Sequence, residues 1–526
     1  MIKVAFSSLA LLGAQLLYAQ NSDWFNRDLE ASGILGISVD RAYEAIGSSD
    51  REDIIVAIID SGVDIGHEDL KDNIWINEDE IPANGLDDDN NGYIDDINGW
   101  NFLGGPDGQS VVYETYGEVR HFRALRRSFE GRDTTMLQGA ELIKYQKMKS
   151  MGESIRKKAA SSEKELISIA QFDETLSQVK FLLKPFIEDE EVTKELISSI
   201  NPANDGIKAA KEIMLQLLES GFNEEEFDQY KEYHRIRKDF HYNVEYDPRG
   251  LVGDDPEDPY ERYYGNNDVF GAHADHGTHV AGIIGAVRGN EVGIDGIAQN
   301  VKLMILRAVP DGDERDKDIA NAILYAVENG AKVINMSFGK GYSPHKKAVD
   351  AAVKKAEAKG VLIVHAAGNA AVDIDEATHF PIETFEDGTI PSNWIEVGAS
   401  DKKPNELLVA DFSNYGRMEV DVFAPGVDIY STMPNNQYGE NSGTSMAAPV
   451  VSALAAALWS YDSTIPVKKL KMLILEGALS FKNLKVYYPD TSGLRDKKTK
   501  FKKLSVTGGV VNLYNSMVEA GHIVNP

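Results

Sequence analysis

The chain has 526 residues, 42% of them apolar, no cysteine, and 54 basic against 84 acidic side chains, for a formal net charge of −30. This balance disfavours nucleic acid and anionic membrane as partners and favours cations, while the missing cysteines exclude a thiol nucleophile, a disulfide framework and a lipid-modified amino terminus. No internal stretch reads as the run of about 18 apolar residues that a membrane span requires, and the length suits two or three domains or one large α/β unit with an insertion.

Residues 1–20, MIKVAFSSLALLGAQLLYAQ, have a basic start at Lys3, an apolar middle from Val4 to Leu17 and Ala19 before a polar stretch. That is the pattern of a secretory signal peptide, and it predicts an exported protein, periplasmic or extracellular. The run Ile54-Ile55-Val56-Ala57-Ile58-Ile59 follows a short lead and reads as a buried strand ending at Asp60, Ser61 and Gly62. Next comes DDDNNGYIDD, residues 87–96. Asp87, Asp89 and Asn91 precede Gly92 with the spacing of a Ca²⁺ loop, and Asp95 falls at the ninth position. The twelfth is Asn98, where a bidentate Glu is expected, so Asp96 is the candidate to close the shell. A solvated acidic turn is the other reading of this loop.

From Glu114 to Tyr242 the chain is charged and poor in glycine, and it predicts helices over Met136–Ala160, Glu163–Phe186 and Glu224–Phe240. The organisation expected is therefore 21–110 as the first part of one domain, 111–245 as a helical insertion and 246–526 as the rest of that domain. Within 246–526, apolar β-branched runs recur at Val301–Val309, Lys332–Met336, Val361–Ala366 and Ile395–Gly398. Helices between them, Asp316–Asn329 and Pro344–Lys359, are closed by Gly330 and Gly360. Strand and helix in alternation predict a doubly wound, mostly parallel α/β sheet. Asp254, Asp255, Asp258 and Asp268 offer a second, weaker cation cluster.

The segment GENSGTSMAAPVV, 439–451, sets Ser445 among the smallest side chains at the start of an apolar helix. A nucleophilic serine needs a base beside it and donors aimed at the oxyanion that its attack creates. The first N–H groups of a helix have no intrahelical partner, so the Ser445 N–H is free for a ligand and Pro449 costs little in a first turn. DHGTHVAG, 275–282, offers His276 as the base; His279, on the same apolar helix, reads as structural, and His67 and His365 have no stronger claim. Asp60, at the carboxyl end of a buried strand, suits the group that holds the imidazole. Asn369, closing AAGN after another buried strand, can donate its amide beside the Ser445 N–H.

These segments, AIIDSGVD, HGTHVAGIIGA, NMSFG, AAGN and GTSMAAPVVSALAA, resemble in type and order the motifs of the subtilase, or subtilisin-like serine protease, family. The resemblance implies an exported serine endopeptidase of subtilisin-like fold, acting on polypeptides through an acyl-enzyme. By it Asp60, His276 and Ser445 are the triad and Asn369 the oxyanion donor. Ser337, Phe338 and Gly339 become the edge strand that pairs with extended substrate, with Phe338 where a smaller aliphatic residue is common. Calcium is the expected structural cofactor, no catalytic cofactor is implied, and the oligomeric state is left open. A silent peptide-binding protein and an esterase or acyl transferase remain the rival readings.

Overall fold

β-Branched runs account for the sheet on which the computed structural model is built; the model describes residues 23–47, 51–187 and 192–524. The predicted signal peptide lies outside the described residues. The described chain divides into one compact unit made of the stretches up to Val112 and from Pro248 onward, and a second, Tyr113–Asp247.

In the first unit the strands are β1 (Ile54–Asp60), β2 (Gly99–Asn101), β3 (Val301–Arg307), β4 (Val333–Met336), β5 (Leu362–Ala366), β6 (Trp394–Ser400) and β7 (Val422–Pro425). The sheet runs Leu479–Ser480, Gly509–Val510, β7, β6, β5, β4, β1, β3, β2. Its pairings are parallel except for the first, which is antiparallel. β1 shows why these strands lack polar alternation: Val56 and Ile58 enter one core, Ala57 and Ile59 the core on the opposite face.

Helices Asp275–Gly285 and Thr444–Tyr461 fill the first core with Val280, Ile284, Leu454 and Leu458. Helices Asp316–Glu328 and Lys346–Lys359 fill the second with Ile319, Ile323, Val349 and Val353. Gly360, in the left-handed region at φ +72°, stops the latter helix. Among the described residues one helix, Thr444–Tyr461, is long and apolar enough by composition to cross a membrane, and it is largely buried in the protein.

The strand order turns back at β1, which has β3 on one side and β4 on the other. Ile59 pairs with Met336 and Met336 with His365, so the carboxyl ends of β1, β4 and β5 stand in one row. Open α/β sheets bind ligands in the crevice outside such a point. Ser337–Gly339, expected as an edge strand, instead follow β4, whose two edges are already taken by β1 and β5. The segment leaves the sheet, and the next bridge is Lys340 to Phe380.

The second unit is helical. Where two helices are predicted between Met136 and Phe186, one helix of 49 residues, Gly139–Ile187, runs through. Ser161 and Ser162, between the two predicted helices, bring no glycine or proline to stop a helix, and the one observed runs through Gly152 and holds Pro185 in its last turn. Leu176, Val179, Leu183 and Ile187, three or four positions apart, pack with Ile197, Ala210 and Met214. The predicted Glu224–Phe240 helix is Glu224–Ile236, continued by a π turn, Arg237–His241.

Candidate active site

β1 delivers Asp60 to the carboxyl edge, where its side chain is 3% exposed. Oδ1 accepts from His276 Nδ1 at 2.8 Å and from the Ser61 N–H at 2.8 Å. Oδ2 is buried without a hydrogen-bond partner among the described residues. His276 is the second residue of its helix, and Gly277 lets that helix close on the strand: a Cβ there would lie 2.1 Å from Gly62 O and 3.3 Å from Asp60 Cβ. Burial opposes a charge on His276, but the Asp60 carboxylate and its hydrogen bond outweigh it and hold the imidazole pKa above its ordinary 6.5. His279 behaves oppositely. Burial first, and then the His276 charge, pull it down to about 4, and its Nε2 donates to Ile429 O at 2.9 Å. It fastens the helix to the hairpin of β8 (Ile429–Met433) and β9 (Gln437–Asn441).

Ser445 is the second residue of helix Thr444–Tyr461. Pro449 sits beyond the first turn expected for it: it is the sixth helical residue, where its missing N–H would have bonded the Ser445 carbonyl. Ser337 Oγ donates to that carbonyl instead, at 2.9 Å. Ser337 Oγ also accepts from Asn335 Nδ2 at 2.9 Å, and Ser452 Oγ donates to Asn335 Oδ1 at 2.9 Å. This buried polar ladder bolts the serine helix to β4. Asn335 and Ser452 were missed in the sequence; the signal was a polar residue inside each of two apolar runs.

Asn369 is oriented by Thr444, whose N–H and Oγ1 both donate to Asn369 Oδ1 at 2.9 Å. The amide nitrogen therefore turns the other way. A Cβ built on Gly443 would stand 3.3 Å from Asn369 Nδ2 and 3.6 Å from Ser445 N, so both donors border one space that only a missing side chain leaves open. Asn414, also missed, buttresses the AAGN loop: its Nδ2 donates to Ala367 O at 2.7 Å and its Oδ1 accepts from the N–H groups of Ala370 and Val372.

Asp60 and His276 are thus brought together, and so are the Asn369 amide and the Ser445 N–H. The Ser445 hydroxyl faces elsewhere, donating to Ser337 O at 3.1 Å; its hydrogen bond to the imidazole is not made in this structure. Phe338 and Gly339 join Asn369, Thr444 and Ser445 in lining a cavity of about 360 Å³.

In the acidic loop, Glu80, Asp87 and Asp89 bring carboxylate oxygens within 4.8 Å of one another. Glu80, upstream of the loop, turns its carboxylate into it and accepts from the N–H groups of Asp88, Asp89 and Asp95; the sequence spacing gave no sign of it. Asn91 cross-links the loop, accepting from Tyr93 N–H through Oδ1 and donating to Asp89 and Asp96 through Nδ2. Asp96 is buried and also accepts from Tyr325 O–H and Asn77 Nδ2. Asp95, a predicted ligand, lies outside this trio and accepts from the N–H groups of Asn84 and Gly85, as Asp87 accepts from those of Asn91 and Gly92. Burial, with the charges of Asp96 and Asp89, raises the Glu80 pKa, as befits hard oxygen donors crowded enough to hold a divalent cation. The second acidic cluster is not assembled. Asp254 is paired with Arg249 and Lys317, each at 2.7 Å, and Asp268 with Arg307 at 3.1 Å.

Comparison with known proteins bears on the family. The model of the Subtilase family matches residues 210–508. A thermophilic serine proteinase of Bacillus sp. (strain AK1) is 45% identical over 186 residues, 35% of this chain and 42% of that protein. The major intracellular serine protease of Bacillus subtilis (strain 168) is 39% identical over 208 residues, 39% of this chain and 61% of that one. Subtilisin DY of Bacillus licheniformis is 38% identical over 200 residues, 37% of this chain and 67% of that one. The chain thus spans less than two thirds of the first two relatives, and the family match begins after Asp60. With a sheet that turns back at β1, the serine at a helix start beside it, and a family match over more than half of its length, the chain belongs to the subtilase family.

Proposed function

We propose that this chain is an exported serine endopeptidase that hydrolyses peptide bonds through an acyl-enzyme. The observation carrying the reading is the pairing of a held imidazole, His276 on Asp60 at 2.8 Å, with two donors, Asn369 Nδ2 and Ser445 N, bordering one space. The Ser445 hydroxyl leaves Ser337 O and passes its proton to His276 as it attacks a peptide carbonyl; hydrogen bonds of this kind often tighten only when substrate binds. Asp60 stabilises the imidazolium, and the two donors take the oxyanion. His276 returns the proton to the leaving amine, and water then releases the acyl group. Ser337–Gly339, beside Ser445, are the backbone expected to meet an extended peptide.

Segment 111–245 is an insertion in this reading, leaving the catalytic fold to 21–110 and 246–526. Glu80, Asp87 and Asp89, with Asn91 and Asp96 beside them, would hold a structural Ca²⁺ next to β2, stiffening an exported chain that has no disulfide. Labelling by a fluorophosphonate, together with hydrolysis of casein, tests the function: wild type reacts in both assays and Ser445→Ala in neither. Hydrolysis that survives Ser445→Ala overturns it.

A further inference from the structure

Behind the cavity beside Ser445 lies a buried set of side chains that the reaction does not use. Glu396, on β6 and 2% exposed, accepts from Trp394 Nε1 at 2.9 Å, from His365 Nδ1 at 2.9 Å and from His379 Nε2 at 3.2 Å. The other nitrogen of His365, Nε2, donates to Phe338 O at 2.9 Å. Both nitrogens of His365 thus face oxygens, the Glu396 carboxylate and the Phe338 carbonyl, which fix the ring in place. His379 is different. It lines the cavity with Ser445 and Asn369, its ring stacks on His365 at 5.7 Å between centroids, and its Nδ1 has no hydrogen-bond partner among the described residues. A proton on that nitrogen puts an N–H donor at the cavity.

The remaining charges around it are of both signs, so the Nδ1 donor rather than net charge distinguishes this wall. Lys340, also on the cavity wall, is neutralised by Asp316 at 2.7 Å. Asp313 lines the wall, and Glu419 acts on His379 through space. Burial opposes the His379 charge, whereas Glu396 and then Glu419 favour it, and the pKa ends above 6.5. Among the described lining residues Phe338 is the one large apolar side chain, so the cavity is not built as an oily slot.

Resting on the reading of Ser445 as nucleophile, we propose that this cavity receives the side chain of the residue that supplies the attacked carbonyl, and that His379 selects an acidic one, glutamate or aspartate. Glu396 and His365 act as positioning residues, presenting His379 and tying it to the Phe338 backbone. The carboxylate of the substrate accepts from Nδ1–H, an arrangement that exists while the ring is protonated and fades as pH rises through its pKa.

The test uses the full chain and peptides that differ only at that residue: Glu, Gln, Phe or Lys. At pH 6, kcat/KM for the Glu peptide should exceed that for Gln by about tenfold or more, the scale of a charge-assisted hydrogen bond, and the ratio should shrink by pH 9. His379→Gln should collapse the Glu:Gln ratio toward one at every pH, and His379→Lys should restore the preference and abolish its decline with pH. A role confined to packing would move neither the ratio nor its pH profile. Preference for Phe or Lys, or a ratio untouched by His379→Gln, overturns the inference and leaves the nucleophile standing. No cleavage of any peptide, together with no fluorophosphonate labelling, overturns the nucleophile and the inference with it.

Discussion

Gly443→Ala is the sharpest perturbation of the proposed chemistry, because it adds one methyl and removes no functional group. The backbone at 443 is extended, with φ 166° and ψ 161°, a conformation alanine adopts without strain. The new carbon would meet Asn369 Nδ2 at 3.3 Å, Ser445 N at 3.6 Å and Met446 Sδ at 3.8 Å. None of these is a clash that unfolds a protein, and alanine also restricts the unfolded chain, so the unfolding midpoint should move by no more than about 2 °C. An oxyanion, however, must come within about 2.7–3.1 Å of both donors, and the methyl occupies that approach. Losing one such donor costs about 10²–10³ in kcat, or about 3–4 kcal/mol of barrier, and the methyl obstructs two. Steady-state hydrolysis of a peptide amide and the rate of fluorophosphonate labelling should therefore fall together by at least about 10²-fold, with thermal unfolding unchanged. A variant that keeps kcat/KM within threefold would show that the oxyanion does not form between Asn369 and Ser445.

Three further outcomes are expected. His276 must be neutral to accept a proton, and Asp60 holds its pKa above 6.5, so the acid limb of kcat/KM should lie above pH 6.5. Asp60→Asn should shift that limb to lower pH while cutting kcat by about 10⁴; an unshifted limb argues that another group titrates. Ionising Glu80, whose folded pKa is raised, weakens the fold as pH climbs above 4.5, and bound Ca²⁺ reverses this. Calcium at 100 times its Kd should add about 2.7 kcal/mol to unfolding, and Glu80→Gln should abolish the calcium-dependent rise in Tm measured by calorimetry. Arg249→Met leaves the Asp254 and Asp318 carboxylates, both 0% exposed, with one cation fewer; a loss of about 3–5 kcal/mol is expected by urea unfolding, and a loss below 1 kcal/mol would mean the pocket admits water.

The parts of this architecture legible in the sequence were those written locally. β1 and β3 to β6 announce themselves as β-branched runs because both faces are covered, and Gly360 marks a helix end because only a left-handed cap stops that helix there. The groups of the candidate site were legible too, since each sits at the end of a strand or the start of a helix with small neighbours. What stayed hidden depends on where distant segments meet. Glu80 completes the acidic loop from outside its spacing pattern. His365, His379 and Glu396 lie on three separate stretches and come together because β5 and β6 are neighbours. Thr444 and Asn414 look like ordinary polar residues until the fold sets one against Asn369 and the other against the AAGN backbone. The division of Gly139–Ile187 failed for the opposite reason: Ser161 and Ser162 between the two predicted helices offer nothing local that ends one, and the helix carries through even Gly152.

Pro449 shows how a defect in one element becomes a joint between two. By withholding a single donor it leaves the Ser445 carbonyl unclaimed within its own helix, and Ser337 fills the opening from the sheet. An alanine at 449 would offer that carbonyl a second suitor, so a more regular helix would come at the expense of the tether that sets the reactive residue against β4.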